Sequence, residues 1–373
     1  MSLTSSTPGQ ALRPLAGRSV ALVHEWFGAT GGSEQVFLSM ADAVPHADRF
    51  VLWKDDDATV DGQLRQSWLA GTPLRRSKAL ALPLMPLAWR TLTRATYDVV
   101  ISSSHAFAHT VKIGDPGRTR HLSYVHSPAR YVWSPELDQR GGNPMLAPMR
   151  AVLRAGDRRL SRHVHSYAAN SREVQARIRR CWGRDARVIN PPVEVDYFRA
   201  APEQVRDQGR RYLLGVGRWI PYKNFDLMIE IAAAARLPLV LAGGGPEEER
   251  LRGLAARVDV PVEFEVRPAR ERLRELYWGA IALLYPAVED FGMIPVEAQA
   301  CGTPVVGLAR GGLLETVVPG ETGFLLDTTD PAAYVDPLRR AARLPGAAAL
   351  ANARRFTPQT FQANLAAWLT DEA

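Results

Sequence analysis

The sequence predicts an α/β protein of two units, each with a parallel sheet covered by helices on both faces. Short apolar runs alternate with helical segments along the whole chain, which is the pattern of parallel sheets. The chain has 373 residues, of which 46% are hydrophobic, so it exceeds the usual size of a single core and can fill two. The dipeptide Pro191-Pro192 predicts a linker, and we place the first unit at residues 18–192 and the second at residues 193–355.

In the first half, the apolar run at residues 19–23 predicts a strand. A glycine-bearing loop follows, and Ser33 is predicted to cap a helix over residues 34–41, because a serine oxygen can accept from the free N–H groups of a first helical turn. Residues 1–17 begin with a polar stretch and are predicted to form a flexible tail. Further strands are predicted at residues 49–53, 98–102, 121–125, 165–168 and 187–189.

The second half alternates more regularly. Its predicted strands are residues 212–215, 239–242, 262–266 and 280–285, and its predicted helices are residues 224–235, 247–257 and 270–278. An acidic turn then leads to a helix that we expect to begin at Glu297. A last helix over residues 358–369 is predicted to start at Pro358, because a proline N–H would be unpaired in the first turn anyway, with Thr357 as its cap.

Composition narrows the class of protein. The sequence has no run of about 18 apolar residues, and its start lacks the apolar core of a signal peptide, so we expect a cytoplasmic protein. Its two cysteines, Cys181 and Cys301, are too few for a disulfide framework or a metal cluster. Cys301 directly precedes a glycine predicted to end a helix, and we expect it to be a small buried apolar residue.

Charge is uneven along the chain. Residues 1–200 carry 27 Lys and Arg against 17 Asp and Glu, a net charge of +10, whereas residues 201–373 carry 19 against 22, a net charge of −3. The basic half predicts an anionic partner, but no nucleic-acid-binding signature is present. In residues 74–90, basic residues flank an apolar stretch broken by Pro83 and Pro86, which favours peripheral contact with an anionic membrane surface. A core segment edged by solvated arginines fits the same pattern.

The carboxylates of Glu289 and Glu297 are the strongest functional clue. They follow a predicted buried strand at its carboxyl end, where open α/β sheets bind ligands. The turn Phe291-Gly292-Met293 is short enough to point backbone N–H groups outward, and Gly292 tolerates the required dihedral angles. The two carboxylates can then accept hydrogen bonds from the hydroxyls of a nucleotide sugar. Alternatively, Glu297 only stabilises the positive end of the helix and Glu289 is a solvated loop charge.

Two more groups follow predicted strands. Gly31 and Gly32 lie in a glycine-rich loop that would let the backbone approach a diphosphate, although an ordinary turn has the same composition. Arg218 and Lys223 come after the strand at residues 212–215. Two fixed cations there can stabilise the charge that develops on a departing diphosphate, or they are ordinary surface charges.

Histidines also follow two strands of the first half. His105 ends the segment at residues 102–105, and His126 begins the segment at residues 126–130. A neutral histidine at such a position can hydrogen-bond a sugar hydroxyl near the reacting carbon. Histidines at strand ends are more often packing residues, and spacing alone favours that interpretation.

Taken together, these segments resemble the retaining glycosyltransferases of family four, which have the GT-B fold. The resemblance extends over nearly the whole chain, and the order and spacing of its motifs make it specific although each motif is weak alone. It implies two Rossmann-like doubly wound domains facing across a cleft, with a helix at residues 356–373 crossing back to the first domain. The matching positions are Gly31-Gly32, His126, Gly217-Arg218 with Lys223, residues 243–246, Glu289 with Glu297, residues 302–305, and Gly311-Gly312 with Glu315.

The resemblance also implies roles for these residues. Arg218 and Lys223 would bind the diphosphate of the donor, Glu297 its ribose, and Glu289 the transferred sugar. Arg267 would contact the base, and His126 would lie near the anomeric carbon. The implied donor-binding set is Gly31, Gly32, Arg218, Lys223, Arg267, Glu289, Phe291, Gly292, Met293 and Glu297, the implied catalytic set is Arg218, Lys223, His126 and Glu289, and the implied acceptor-side set is Glu25, His105, His126 and Arg130.

Residues 23–27, 102–105 and 126–133 are most similar to bacterial members that transfer mannose from GDP-mannose during polysaccharide or lipid-linked glycan synthesis. A UDP-sugar-dependent hexosyltransferase and a non-catalytic GT-B protein that binds a nucleotide sugar or glycan remain alternatives. The resemblance implies retention of anomeric configuration without a cofactor or metal. Asp55-Asp56-Asp57 contains the D-x-D of the other large glycosyltransferase fold, but it is far in sequence from the phosphate residues, and we expect a solvated loop.

Overall fold

The computed structural model describes residues 15–28, 31–60, 62–115, 117–134, 147–203 and 209–373. The chain divides into two compact units. The first contains the described residues up to Asn170, Val174–Pro192 and Gln359–Ala373. The second contains Ser171–Glu173 and Val193–Pro358. Most of the predicted tail at residues 1–17, and Ala29 and Thr30 of the predicted glycine loop, lie outside the described residues.

The first unit is built on a parallel sheet of seven strands in the order β3-β2-β1-β4-β5-β6-β7. Strand β1 extends to Phe27, beyond the predicted end, although His24 and Glu25 interrupt its apolar run. The sequence pattern does not predict β3, a short edge strand with little burial. The strands are β1 Val20–Phe27, β2 Asp48–Lys54, β3 Leu64–Gln66, β4 Val99–Ser104, β5 Arg120–Val125, β6 Ser166–Ala169 and β7 Arg187–Val188.

Alternate residues of β1 face opposite sides of this sheet, as strand geometry requires. Val20 and Leu22 enter a core formed with helix Gly32–Ala43, whereas Ala21 and Val23 enter a second core on the other side. Helices Lys78–Ala81, Met85–Arg90 and Arg130–Trp133 contribute to that second core. The other helices of the first half are Ala147–Leu160 and Arg172–Trp182.

The prediction that Ser33 caps the first helix is wrong. The helix begins at Gly32, one residue earlier, and the extended Gly31 precedes it. The Ser33 hydroxyl instead donates to Glu34 Oε2 at 2.7 Å, because the neighbouring carboxylate competes for it.

The last helix, Pro358–Glu372, crosses back to the first unit, as predicted. Its residues Phe361, Leu365 and Trp368 are fully or almost fully buried and join the core that contains Val20 and Leu22. Trp368 Nε1 donates to Ser166 Oγ at 3.0 Å. The late segment of the chain therefore completes the core of the early one.

The second unit has a parallel sheet of six strands in the order β10-β9-β8-β11-β12-β13. The predicted bounds of β10 and β11 match the structure. The pattern does not predict β12 or β13. The strands are β8 Tyr212–Arg218, β9 Leu239–Gly244, β10 Val262–Val266, β11 Ala280–Tyr285, β12 Val305–Leu308 and β13 Gly323–Leu326, and the helices are Phe225–Ala235, Glu248–Ala255, Arg270–Gly279, Met293–Ala300, Leu313–Thr316, Val335–Ala341 and Gly346–Ala353.

The helix after β11 begins at Met293, so the expectation that it begins at Glu297 is wrong. Gly292 precedes it in a left-handed conformation, with φ of 92°, and this turn allows the helix to start earlier. Glu297 consequently lies in the middle of the helix, where its side chain faces neighbours on other elements. Pro295 lies in the first turn of this helix.

Both cysteines are free and buried, which confirms the expectation for Cys301. Among the described residues, every helix is too short or too polar to cross a membrane.

We predict that Trp368→Ala lowers the free energy of unfolding of the first unit by about 3–5 kcal/mol, because it leaves a large cavity in a close-packed core. Hydrogen exchange at the β1 and β5 amides measures this loss. The exposed Asn364 on the same helix provides a control, since Asn364→Ala should change the stability by less than about 0.5 kcal/mol. Equal protection of β1 in both variants would contradict a structural role for the last helix.

Candidate active site

The order of strands locates a candidate site in the second unit. The chain proceeds from β8 to β9 and β10 on one side and then returns to β11 on the other. Connections that leave the carboxyl ends of neighbouring strands in opposite directions open a crevice, which is the usual ligand site of such sheets. Arg218 ends β8, the turn Pro221–Lys223 follows it, and Glu289 follows β11. The structure thus brings the predicted cations and the first predicted carboxylate to one edge.

Lys223 and Glu289 form an ion pair at this edge. The Lys223 ammonium donates to Glu289 Oε1 and to the Tyr285 hydroxyl, the latter at 3.0 Å. Burial alone lowers the pKa of Lys223, but the oxygens of Tyr285 and Glu289 outweigh it and raise that pKa well above its usual range. Lys223 is therefore a fixed cation, and Glu289 holds it in place.

Two arginines lie at neighbouring strand ends. Arg218 is exposed at the end of β8, and within the described part of the chain it forms no salt bridge. Arg267 follows β10, is exposed, and has a left-handed backbone with φ of 47°. The backbone N–H of Arg267 donates to the Gly243 carbonyl at 2.6 Å. This hydrogen bond fixes the position of the backbone from which the Arg267 side chain extends.

The turn that contains Glu289 is held by the backbone of a second turn, at Gly311-Gly312. Gly312 N donates to the Glu289 carbonyl at 2.8 Å. A Cβ atom at Gly312 would lie 2.2 Å from the Phe291 carbonyl oxygen, so only glycine permits this approach. Phe291 is buried against Phe356, with ring centroids 5.3 Å apart. The turn before helix Met293–Ala300 is thus rigidly placed, and the free N–H groups of that helix start beside Glu289.

Glu297 has an unusual environment for a carboxylate. Its Oε2 accepts from the Tyr277 hydroxyl at 2.9 Å. Burial raises the pKa of Glu297 to about 7, although the Tyr277 hydrogen bond and the Arg270 charge oppose that shift. The carboxyl group changes its protonation state near neutral pH and is suited to accept from a ligand hydroxyl when deprotonated.

The first unit has an equivalent crevice, because its sheet order β2-β1-β4 also changes direction at the first strand. Gly31 and Gly32 lie after β1, at the start of helix Gly32–Ala43. Glu34 belongs to no motif of the sequence, but its carboxylate accepts from Gly28 N at 3.3 Å and from the Ser33 hydroxyl. Glu34 therefore connects the loop after β1 to the first turn of helix Gly32–Ala43.

Glu25 is fully buried at the end of β1. Its Oε1 accepts from the N–H groups of Ala106 and Ala108, each at 2.8 Å, and from the Ser104 hydroxyl at 3.2 Å. Its Oε2 lies 3.0 Å from His105 Nδ1. This geometry suits Glu25 to orienting the β4 turn and His105 rather than to touching an acceptor itself.

A buried polar network extends from Ser104 through His109 to Asp157. The sequence pattern does not predict it. The Ser104 hydroxyl lies 3.2 Å from His109 Nδ1, and His109 Nε2 lies 2.9 Å from Asp157 Oδ1. The other Asp157 oxygen accepts from Trp133 and Trp182 Nε1, each at 2.7 Å. No local pattern could have revealed it, because its members are distant in sequence.

His126 and Arg130 follow β5. His126 is half-buried, and its Nε2 lies 2.8 Å from the Ser103 hydroxyl of β4. The imidazole centroids of His105 and His126 are 6.2 Å apart. Arg130 begins the short helix Arg130–Trp133. The structure therefore gathers His105, His126 and Arg130 at neighbouring strand ends, as the sequence analysis expects.

His24, Glu25 and His105 form one group that could hold a metal ion, with ligand atoms within 4.8 Å of one another. Internal hydrogen bonds explain most of their arrangement, because Glu25 already accepts from backbone N–H groups and His24 Nδ1 contacts Ser103. In the D-x-D segment, Asp56 is exposed and pairs with Arg75 at 2.8 Å, as in a solvated loop.

Comparison with known families decides the class of the protein. The family described as Glycosyltransferase Family 4 matches residues 30–197, and Glycosyl transferases group 1 matches residues 198–356. The chain belongs to the group 1 glycosyltransferases of the family-four kind. The two matches meet between β7 and β8, so the first covers β2 to β7 and the second covers the whole six-stranded sheet.

Individual relatives of this glycosyltransferase agree with that assignment. A D-inositol 3-phosphate glycosyltransferase of Acidothermus cellulolyticus is 37% identical over 201 residues, which cover 46% of this chain and 44% of the relative. The chain spans about half the length of the curated relatives it matches.

Solved structures confirm the GT-B fold. Anabaena Alr3699/HepE in complex with UDP and glucose has a TM-score of 0.68 at 20% identity, covering 94% of this chain and 99% of that one. Sucrose-phosphate synthase from Thermosynechococcus elongatus has a TM-score of 0.72 at 20% identity, covering 94% and 98%. At such identities the likeness concerns the fold.

We predict that the protein binds an intact nucleotide sugar about tenfold more tightly at pH 8 than at pH 6. The expected contact is a ribose hydroxyl that donates to the deprotonated Glu297 carboxylate, and binding below the Glu297 pKa of about 7 must first remove a proton. Calorimetry across this pH range measures the effect. The intact sugar nucleotide is chosen because its diphosphate does not titrate there.

Glu297→Gln provides the matched variant. It should bind more weakly than the wild type at pH 8 and show no pH dependence between 6 and 8. An unchanged pH profile in this variant would assign the titration to another group.

Proposed function

We propose that the protein transfers a hexose from a nucleoside diphosphate sugar to a hydroxyl of a glycan or lipid-linked acceptor, with retention of anomeric configuration and without a metal. The observation that carries this proposal is that Arg218 and the Lys223–Glu289 ion pair lie at the carboxyl ends of β8 and β11, with Glu297 on the helix that follows β11. These residues match, in type and position, the needs of a donor site.

The two cations would act on the diphosphate. Lys223 is buried and positioned by Glu289 and Tyr285, so it needs no rearrangement when charge develops on the leaving group. Arg218 is exposed and can reach toward phosphate oxygens with its planar guanidinium. Preorganised charge of this kind lowers the barrier because it stabilises the transition state more than the ground state.

In a single step, retention requires the acceptor hydroxyl to attack from the face that the nucleotide leaves. The departing phosphate oxygen can take the hydroxyl proton as the new bond to the anomeric carbon forms and the bond to phosphate breaks. Glu289 is engaged by Lys223, which supports a role in holding the cation and the sugar rather than in accepting this proton. The protein then contributes position and charge.

Two nucleotide sugars are candidates for the donor substrate. The sequence similarity of residues 23–27, 102–105 and 126–133 favours GDP-mannose. The structural neighbour Anabaena Alr3699/HepE binds UDP and UDP-glucose, which favours a UDP-sugar as the second candidate. The exposed Arg267 after β10 is the residue that we expect to contact the base in either case.

A donor panel tests the proposal. We expect transfer, or hydrolysis in the absence of acceptor, from one sugar among GDP- and UDP-sugars, and we expect it to persist in the presence of a chelator. Arg218→Ala should lower kcat by about 10²–10³-fold, as removal of one transition-state donor does elsewhere. Because Arg218 is exposed, this variant should fold normally.

Arg252→Ala is the control, since it removes an exposed arginine of the same unit that pairs with helix residue Glu248 and packs over the Phe264 ring. It should retain wild-type turnover. Nucleotide-sugar binding without any turnover would support the non-catalytic alternative. Loss of activity on chelation that manganese restores would overturn the metal-independent mechanism.

We also propose that the first unit rests on an anionic membrane surface. Leu80, Leu87 and Trp68 are 66%, 52% and 43% exposed, whereas Ala81 and Met85 on the opposite side are buried. Trp68 Nε1 donates to Thr91 Oγ1 at 3.1 Å, which places the indole beside the end of helix Met85–Arg90.

The same segment carries exposed arginines, namely Arg76, Arg90 and Arg94. Apolar side chains next to cations suit the boundary between lipid headgroups and acyl chains. The alternative from the sequence, a core segment edged by arginines, accounts for the buried side only. The exposed leucines have no such explanation.

We predict that the protein sediments with vesicles that contain phosphatidylglycerol and much less with vesicles of phosphatidylcholine alone. Replacing Arg76, Arg90 and Arg94 by Gln should weaken binding roughly a hundredfold, at about 1 kcal/mol for each cation. Leu80→Glu with Leu87→Glu should abolish it.

Leu314→Glu is the matched control, because Leu314 is 61% exposed in the second unit. It should leave vesicle binding unchanged. Failure of the wild type to sediment with anionic vesicles at low salt would contradict the membrane proposal without affecting the donor-site proposal.

A further inference from the structure

A buried chain of polar groups lies behind His126. Its Nε2 lies 2.8 Å from the Ser103 hydroxyl, and that hydroxyl lies 3.1 Å from His24 Nδ1. His24 Nδ1 is also 3.1 Å from the Ser103 backbone carbonyl. His24 and Ser103 are fully buried. Three side chains on β1, β4 and the end of β5 thus share one hydrogen-bonded path.

The carbonyl determines where His24 carries its proton. A backbone carbonyl oxygen only accepts hydrogen bonds, so the nitrogen that faces it must donate. His24 is neutral, since burial lowers its pKa to about 4, and a neutral imidazole has one N–H. His24 therefore has its proton on Nδ1. Its Nε2 is a bare acceptor, and it has no hydrogen-bond partner within the described residues.

This tautomer restricts the Ser103 hydroxyl. Because His24 Nδ1 is a donor, the Ser103 Oγ can accept from it but cannot donate to it. The hydroxyl hydrogen then has one neighbouring nitrogen that can accept it, which is His126 Nε2. If His126 instead donated from Nε2, the buried hydroxyl hydrogen would lose that acceptor, at a cost of about 1–3 kcal/mol.

We infer that Ser103 and His24 are positioning residues that hold neutral His126 in the tautomer with its proton on Nδ1. In aqueous solution the two tautomers of histidine interconvert freely, and the hydrogen bond at one nitrogen selects which of them persists. Here the selecting bond comes from Ser103, and it also fixes the plane of the ring.

The inference rests on the proposed function for its meaning in the reaction. In this tautomer the ring nitrogen of neutral His126 that Ser103 does not engage is an N–H donor. Such a group hydrogen-bonds a hydroxyl or phosphate oxygen but does not remove a proton. This arrangement complements the proposed transfer of the acceptor proton to the leaving phosphate.

Nitrogen NMR of the full chain, labelled at its eight histidines, tests the inference without any substrate. The His126 signals are assigned by their loss in His126→Gln. We expect a protonated Nδ1 and an unprotonated Nε2 at a pH where the ring is neutral. A proton on Nε2 of His126 in the wild type would overturn the inference, whether or not the protein transfers a sugar.

Ser103→Ala supplies the kinetic test. The His126 proton should move to Nε2 or become distributed over both nitrogens. We expect kcat to fall about 3- to 10-fold, which corresponds to the usual net contribution of one hydrogen bond, and the donor KM to stay unchanged. Ser103→Thr keeps the hydroxyl and should restore both the tautomer and kcat. An Nδ1-protonated His126 in Ser103→Ala would show that Ser103 does not select it.

His24→Asn is a second variant, in which a side-chain amide N–H replaces the Nδ1–H donor. It should preserve the His126 tautomer. If Ser103→Ala fails to fold, the wild-type spectrum and this variant still decide the inference. Absence of transfer with the expected tautomer would refute the proposed function and leave the assignment of protons intact.

Discussion

The buried negative charge of Glu25 is the constraint on which the first unit's candidate site depends. A carboxylate without solvent must be compensated by donors, or its burial costs several kcal/mol. Here the N–H groups of the turn after β4 supply them. Burial alone raises the pKa of Glu25, but the neighbouring His105 imidazole and these hydrogen bonds lower that pKa well below its usual range. The path of that turn, and with it the place of His105, follows from satisfying one charge.

The second unit solves the same problem differently. Its buried ammonium, Lys223, is compensated by the side chains of Glu289 and Tyr285 instead of by the backbone. Side-chain partners can exchange with a ligand, whereas backbone donors that already shape a turn cannot do so without unfolding it. The first unit therefore has a fixed scaffold for its histidines, and the second has an ion pair that a diphosphate can share.

The sequence predicts most strands because a buried parallel strand is a continuous apolar run, as in β11. It misses β3, which is exposed at the sheet edge, and the last residues of β1, where His24 and Glu25 are buried but polar. Motif spacing identifies Arg218, Lys223 and Glu289, but not that the last two pair with each other, since they are 66 positions apart. The roles of Ser103 and Glu34 cannot be predicted from the sequence either. Ser103 acts through neighbours on other strands, and Glu34 acts through the folded loop.

The return of helix Pro358–Glu372 to the first unit has a consequence for synthesis of the chain. Trp368 and Ser166 meet across 202 positions, and the core around β1 stays open until the helix arrives. The second unit, by contrast, is contained almost entirely in one continuous stretch. Domains commonly fold from the N-terminus onward as they leave the ribosome, but here the later unit can finish first. The earlier one must wait with an incomplete core, which makes it the part of the nascent protein that most needs protection from aggregation.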